Sequence, residues 1–174
     1  MIYVVRHGQT DWNKEGKVQS RADIPLNETG REQAREIREQ LKNVLFDGVY
    51  SSELCRAIET AEIISGSKNV IRDERLSEVD NGKFEGVEVS KMVRIRLSPD
   101  FDPAEYGTES RESIRERVFS FLDEIVPGYI GKNLLIVSHA GTCKYVRLWF
   151  EGEPEDGNID KLMLKNCQVL TYDR

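Results

Sequence analysis

Two imidazoles occur in the 174 residues, and each follows an apolar run. In "IYVVRHGQT" the run Ile2–Val5 leads into Arg6, His7 and Gly8. In "NLLIVSHAGT" a second run leads into His139, Ala140 and Gly141. "YSSELCRAIETA" sets Arg56 just beyond Ser51 and Ser52, and "RLSEVDNGKFEG" groups Glu78, Asp80 and Glu85 in one loop. These residue types suit phosphoryl chemistry. A neutral imidazole can attack phosphorus as a covalent nucleophile. Arginine offers planar paired donors to phosphate oxygens, and fixed cations offset the charge that spreads over a phosphoryl transition state. A carboxyl group can protonate the leaving oxygen; Glu78, Asp80 and Glu85 all stand as candidates. Asn13, in the loop after His7, adds a neutral amide donor. No cluster has metal-ligand spacing, so the cations take a metal's place and no cofactor is expected.

Elements that position these residues follow from hydrophobic periodicity. Residues 2–6 and 133–138 are continuous apolar runs rich in β-branched residues, the pattern of strands buried on both faces. Residues 46–52 and 69–71 read as shorter strands, and 162–173 as one or two closing strands. Helical spacing spans 28–45 (Ala34, Ile37, Leu41, Val44), 53–65 (Leu54, Ile58, Ala61, Ile64), 108–126 (Ile114, Val118, Phe121, Leu122, Ile125) and 141–150. Strands alternating with helices imply a mostly parallel sheet covered on both faces, a three-layer α/β/α sandwich. Such sheets bind ligands beyond the carboxyl ends of their strands. Both histidines stand at such ends, so the two runs are expected to be sheet neighbours with His7 and His139 over one pocket. Arg56, one turn into its helix, adds a guanidinium to the helix amino end, and both favour an anion there.

Composition narrows the classes. The length suits one domain over 1–174. A net charge of −6 argues against a general nucleic-acid surface. No apolar run is long enough for a bilayer, and the first ends too early, at Arg6-His7, for a signal peptide. Cys55, Cys143 and Cys167 are odd in number and lack metal spacing, as expected of reduced thiols in a cytoplasmic protein. Cys143 reads as a small buried hydrophobe. Arg21, Arg94, Arg96 and Lys144 read as solvated surface, with the entrance of the pocket as the alternative.

The ordered motifs resemble the histidine phosphatase superfamily, also called phosphoglycerate mutase-like. "RHGQTDWN" is similar to its R-H-G-x-T-x-x-N at Arg6, His7, Gly8, Thr10 and Asn13. "SSELCRAIETA" is similar to S-S-x-L-x-R-A-x-x-T-A at Ser51, Ser52, Leu54, Arg56, Ala57, Thr60 and Ala61. "LSEVDNGKFEG" resembles the acidic-loop pattern at Leu76, Glu78, Gly82, Glu85 and Gly86. "GTES" (107–110) and "VSHAGT" resemble its later elements. The resemblance implies that His7 becomes phosphohistidine while Arg6, Arg56 and His139 hold the phosphoryl group and Asn13 assists. It implies that Glu78 protonates the leaving oxygen and then activates water.

Three departures stand out against that family. Gln19-Ser20 replaces a common Gln-Gly, and Ser20 is not expected to touch substrate. Ala140 follows the second histidine where many members have glycine; it stays small and counts among the substrate contacts. The span 87–107 is shorter than the arginine-bearing insertion of the true mutases, which favours a phosphatase. The expected activity is hydrolysis of a small phosphorylated metabolite without a metal. A phosphoglycerate mutase and a non-catalytic phospho-ligand binder are the alternatives.

Overall fold

The computed structural model describes residues 1–173. Twelve strands and helices of regular type follow one another: β1 (Ile2–Arg6), α1 (Asp11–Lys14), α2 (Glu28–Gln40), β2 (Gly48–Ser51), α3 (Cys55–Ser65), β3 (Ile71–Arg72), α4 (Val89–Arg96), α5 (Pro103–Tyr106), α6 (Arg111–Ile125), β4 (Leu134–Ser138), α7 (Ala140–Glu151) and β5 (Val169–Tyr172). The sheet order is β3-β2-β4-β1-β5. β1, β2, β3 and β4 run parallel, and only β5 is antiparallel, against β1.

The period of two along β1 and β4 divides the core. Ile2, Val4, Leu134 and Ile136 face Val118, Phe121, Leu122 and Val146 of α6 and α7. Tyr3, Val5, Leu135 and Val137 face Ala34, Ile37, Ala57, Ala61 and Ile64 of α2 and α3. A strand that is apolar on both faces demands a cover on both, and the result is the expected α/β/α sandwich. Cys143 is fully buried in the first cluster, as a small hydrophobe. No described helix is long and apolar enough to cross a membrane.

Several element boundaries differ from the periodic reading. The helix expected over 28–45 stops at Gln40; a turn closed by Val44 N to Leu41 O (2.8 Å) follows, and beyond it the chain is tied by Asn133. Its side-chain amide donates to Leu45 O (3.0 Å), and its carbonyl accepts from Asp47 N (2.8 Å). Leu41 and Val44 still pack on the α2 and α3 side of the sheet. Within 162–173 only Val169–Tyr172 is strand; the preceding residues form a loop that turns at Cys167, whose φ is 52°. The strand predicted over 69–71 is the two-residue β3 at Ile71–Arg72. Helix α6 begins at Arg111, where the Ser110 hydroxyl accepts from Ser113 N and caps it.

Candidate active site

β1 and β4 lie side by side with Arg6 opposite Ser138. Their carboxyl ends therefore bring the two imidazoles together, with ring centroids 5.0 Å apart and planes inclined by 58°. His7 is 2% exposed and His139 fully buried. His7 Nδ1 lies 2.7 Å from the carbonyl of Gly8. A carbonyl only accepts, so Nδ1 carries the proton and Nε2 of the neutral ring keeps its lone pair. Burial holds His7 well below the ordinary imidazole value, and Arg56 and Arg6 lower it further. His139 is lowered in the same way, by burial and then by Arg56. Both rings are thus neutral at neutral pH.

Each arginine is held differently. Arg56, fully buried as the second residue of α3, donates from Nη1 to Ala22 O (2.8 Å) and from Nη2 to Ser20 O (3.0 Å). With the Gln19 amide turned to donate to Thr10 Oγ1, its oxygen accepts from Arg56 Nε and Nη1 at 3.2 Å. The 19–22 loop therefore fixes the Arg56 fork. Arg6 gives Nη1 to Leu164 O (2.8 Å), and its buried Nε has no protein partner. The other buried side-chain nitrogen without a protein partner among the described residues is His139 Nδ1. Its Nε2 is 2.6 Å from Ser52 Oγ. Both unpartnered atoms belong to residues beside His7: Arg6 precedes it in the chain, and the His139 ring is its neighbour.

Asn13 closes α1 in a reciprocal cap. Its backbone N donates to Thr10 Oγ1 (3.2 Å), and Thr10 N donates to its Oδ1 (3.2 Å). Asn166 Nδ2 donates to the same Oδ1 at 3.1 Å and to His7 O at 2.9 Å. Among the described residues the side-chain bonds of Asn13 thus fall on its oxygen, so its amide nitrogen stays available as a donor. The periodic reading passed over Asn166, since one loop asparagine beyond an apolar segment carries no local signal.

The three loop carboxyls part company. Asp80 accepts from Gly82 N (2.8 Å) and makes a turn. Glu85 accepts from Ala22 N (2.6 Å) and fastens the 19–22 loop. Glu78, 7% exposed, points to the amino end of α7, where its oxygens accept from Gly141 N and Thr142 N at 3.2 Å. Its charge also acts on both Arg6 and Arg56. A side chain at position 141 would place Cβ 2.6 Å from Glu78 Oε1, so glycine is required for this approach. Further bonds pin the loop: Ser138 Oγ to Leu76 O (2.7 Å), Thr142 Oγ1 to Ser77 O (2.6 Å) and Ser20 Oγ to Val79 O (3.0 Å). Ser20 is a loop tie: its hydroxyl bonds Val79 O and its carbonyl accepts from Arg56. Ala140 is the first residue of α7, between His139 and Gly141. Glu109 of "GTES" accepts from Asp80 N (3.2 Å) and from Arg117 Nε (2.7 Å), anchoring the far end of the loop.

The three thiols stay apart from this chemistry. Burial pushes Cys55 up to about 11 and Cys143 and Cys167 up to about 12. All are free and protonated at neutral pH.

A parallel sheet that ends in a neutral, oriented imidazole between two guanidiniums defines a histidine-centred anion site of α/β/α type. The sequence model of the histidine phosphatase superfamily (branch 1) matches residues 2–174, and the chain belongs to that family. It is 33% identical to phosphoglycerate mutase-like protein 4 of Arabidopsis thaliana, over 97% of this chain and 78% of that protein. It is 32% identical to phosphoserine phosphatase 1 of Hydrogenobacter thermophilus, over 79% of this chain and 70% of that one. A mycobacterial glucosyl-3-phosphoglycerate phosphatase, solved in complex with VO3, has a similar fold. Its TM-score is 0.81 at 26% identity, over 97% of this chain and 90% of that one. The chain is thus an enzyme of the histidine phosphatase superfamily, with named phosphatases among its relatives.

Proposed function

We propose that this enzyme hydrolyses a small phosphomonoester without a metal, through a phosphohistidine on His7. The observation that carries this reading is the His7 Nδ1 contact with Gly8 O at 2.7 Å, which leaves Nε2 as the free lone pair. Nε2 attacks phosphorus and the bond to the ester oxygen breaks. Arg6, Arg56, His139 and the amide of Asn13 hold the phosphoryl oxygens, and Ala140 lies against them. Glu78 gives its proton to the departing alkoxide. It then takes a proton from water as that water attacks the phosphohistidine, releasing phosphate and restoring the lone pair. Hydrolysis is favoured over phosphoglycerate mutation by the short 87–107 span, while the relatives carry both mutase and phosphatase names.

Rapid quenching with a 32P-labelled substrate tests the scheme. An acid-labile, alkali-stable label is expected on the unsubstituted enzyme and none on His7→Ala. With 3-phosphoglycerate, free phosphate is expected to outrun the isomeric product. Label on the His7→Ala protein overturns the nucleophile. Isomer exchange with negligible phosphate release overturns hydrolysis, and turnover abolished by chelation and restored by a divalent ion overturns metal independence.

A further inference from the structure

Ser52, which directly follows β2, is a motif residue without a task in the scheme above. It is fully buried, and its Oγ has two polar neighbours among the described residues. Leu54 N donates to it at 3.3 Å, and His139 Nε2 lies 2.6 Å away. The first neighbour is a donor and occupies a lone pair of the oxygen. The hydroxyl proton still needs an acceptor, because a buried donor left unpaired is costly. Among the described residues that acceptor is His139 Nε2.

A neutral imidazole carries one proton. With Nε2 accepting from Ser52, the proton of His139 sits on Nδ1. That atom is buried and has no protein partner among the described residues. It is therefore an N–H that waits for an acceptor. Burial and the charge of Arg56 keep the ring neutral, in agreement with a bare Nε2. His7 supplies the contrast. Its Nδ1 proton is given to Gly8 O at 2.7 Å, which leaves Nε2 free. The two rings, with centroids 5.0 Å apart, thus share one tautomer and leave opposite atoms free, a lone pair on His7 and an N–H on His139.

We propose that Ser52 is a positioning residue: by donating to His139 Nε2 it fixes the ring proton on Nδ1 and makes His139 a hydrogen-bond donor to the phosphoryl group. This rests on the proposed function for the identity of the anion. Without the Ser52 proton the ring can take the Nε2–H form, and Nδ1 would then meet the anion with a lone pair. A neutral donor also avoids burying a third cation beside Arg6 and Arg56, which the like-charge rule makes costly.

NMR of protein labelled with 15N at histidine reads the tautomer without turnover. Long-range proton–nitrogen correlations tell a protonated ring nitrogen from a bare one, and the His139 signals are those lost in His139→Gln. The unsubstituted enzyme at neutral pH is expected to show His139 with Nδ1 protonated and Nε2 bare. Ser52→Ala should shift that proton toward Nε2. It should also weaken binding of orthovanadate, the probe for a phosphoryl-shaped anion, about tenfold or more, the worth of a hydrogen bond to a charged group. His7 should keep its own pattern in that variant, which separates a local change from misfolding. Ser51→Ala removes a neighbouring buried hydroxyl that donates to Ser52 O at 2.9 Å, and should leave the His139 tautomer and the affinity in place. A proton on Nε2 in the unsubstituted enzyme, whether alone or with one on Nδ1, overturns the proposal. So does a Ser52→Ala protein that keeps the Nδ1 proton and full affinity, or an equal loss in Ser51→Ala. If Ser52→Ala does not fold, the tautomer of the unsubstituted enzyme decides. Turnover of p-nitrophenyl phosphate separately judges the phosphatase reading; its absence would count against hydrolysis and leave the tautomer to judge Ser52.

Discussion

The side-chain amide of Asn166 donates to Asn13 Oδ1 at 3.1 Å across nearly the whole chain. Its second proton goes to His7 O at 2.9 Å, so one group fixes both the backbone of the proposed nucleophile and the direction of the Asn13 amide. Asn166 touches no reacting atom in this scheme; it positions two groups that do.

Asn166→Asp keeps the size and removes the donor. kcat/KM is expected to fall about tenfold or more, mainly through KM, because a misdirected amide loses a charge-assisted contact with phosphate. Asn13→Ala should cost a similar factor, and the double variant little more than either, since coupled residues are not additive. Steady-state kinetics on the four proteins checks this. Fully additive losses would give Asn166 a role independent of Asn13.

Glu78→Gln keeps the shape of the carboxyl and removes its proton. The amide also turns an N–H toward Gly141 N or Thr142 N, which now bond to carboxylate oxygens. With an alkyl phosphate, kcat should fall by about 10²–10⁴, the usual worth of a general acid. With p-nitrophenyl phosphate, whose leaving group needs little protonation, formation of the phosphoenzyme should slow far less. Equal slowing of that step with both esters would move the proton to another group.

The two histidines set a pH limit on stability. Both are held well below the ordinary value of about 6.5 in the folded state, so protonation favours the unfolded chain. Stability is therefore fully present above about pH 6.5 and declines as pH falls toward the lowered folded values. The loss should approach about 1.4 kcal/mol per pH unit for each histidine, and no other histidine exists to share it. Urea unfolding in phosphate-free buffer between about pH 6.5 and pH 5 measures the slope. His139→Gln should roughly halve it, and an unchanged slope would refute the assignment.

Gly30 sits near the start of α2, where alanine would ordinarily add up to about 1 kcal/mol. Here a Cβ would run into the backbone of Gln9, and Gly8 abuts Gly30 from the other side. Gly30→Ala is expected to invert the sign and cost about 1–3 kcal/mol, as overpacking does. Activity should fall too, since Gln9 follows Gly8 in the loop that orients His7. Thermal unfolding and kcat together check this; a stabilised, fully active variant would show that the loop yields.

The architecture was legible where the signal is periodic. Two apolar runs rich in β-branched residues, each followed closely by a histidine, identified the central strands and brought His7 beside His139. Arg56 was legible as a cation near the amino end of a helix, although α3 starts only one residue before it. Short α1, α4 and α5 escaped, since four to eight residues hold too few turns for a stripe to show. The bonds made by Asn166, Thr142, Ser138 and Gly141 escaped for another reason. Each acts through side chain and backbone at long separation in the chain, and such bonds impose no local pattern. The three loop carboxyls needed coordinates, because composition cannot tell a turn-making Asp80 from a Glu78 on a helix end.

β1 has β4 and β5 as its neighbours, and these are the last two strands in chain order. During synthesis this apolar strand must therefore wait, unpaired, until β4 has left the ribosome. Its edges are open to any other strand through that interval, the hazard of non-local pairing. A nascent chain stalled before β4 would expose Ile2–Val5 as a ready aggregation seed. His7 cannot meet His139 at that stage, so catalysis and protection from misassembly arrive together.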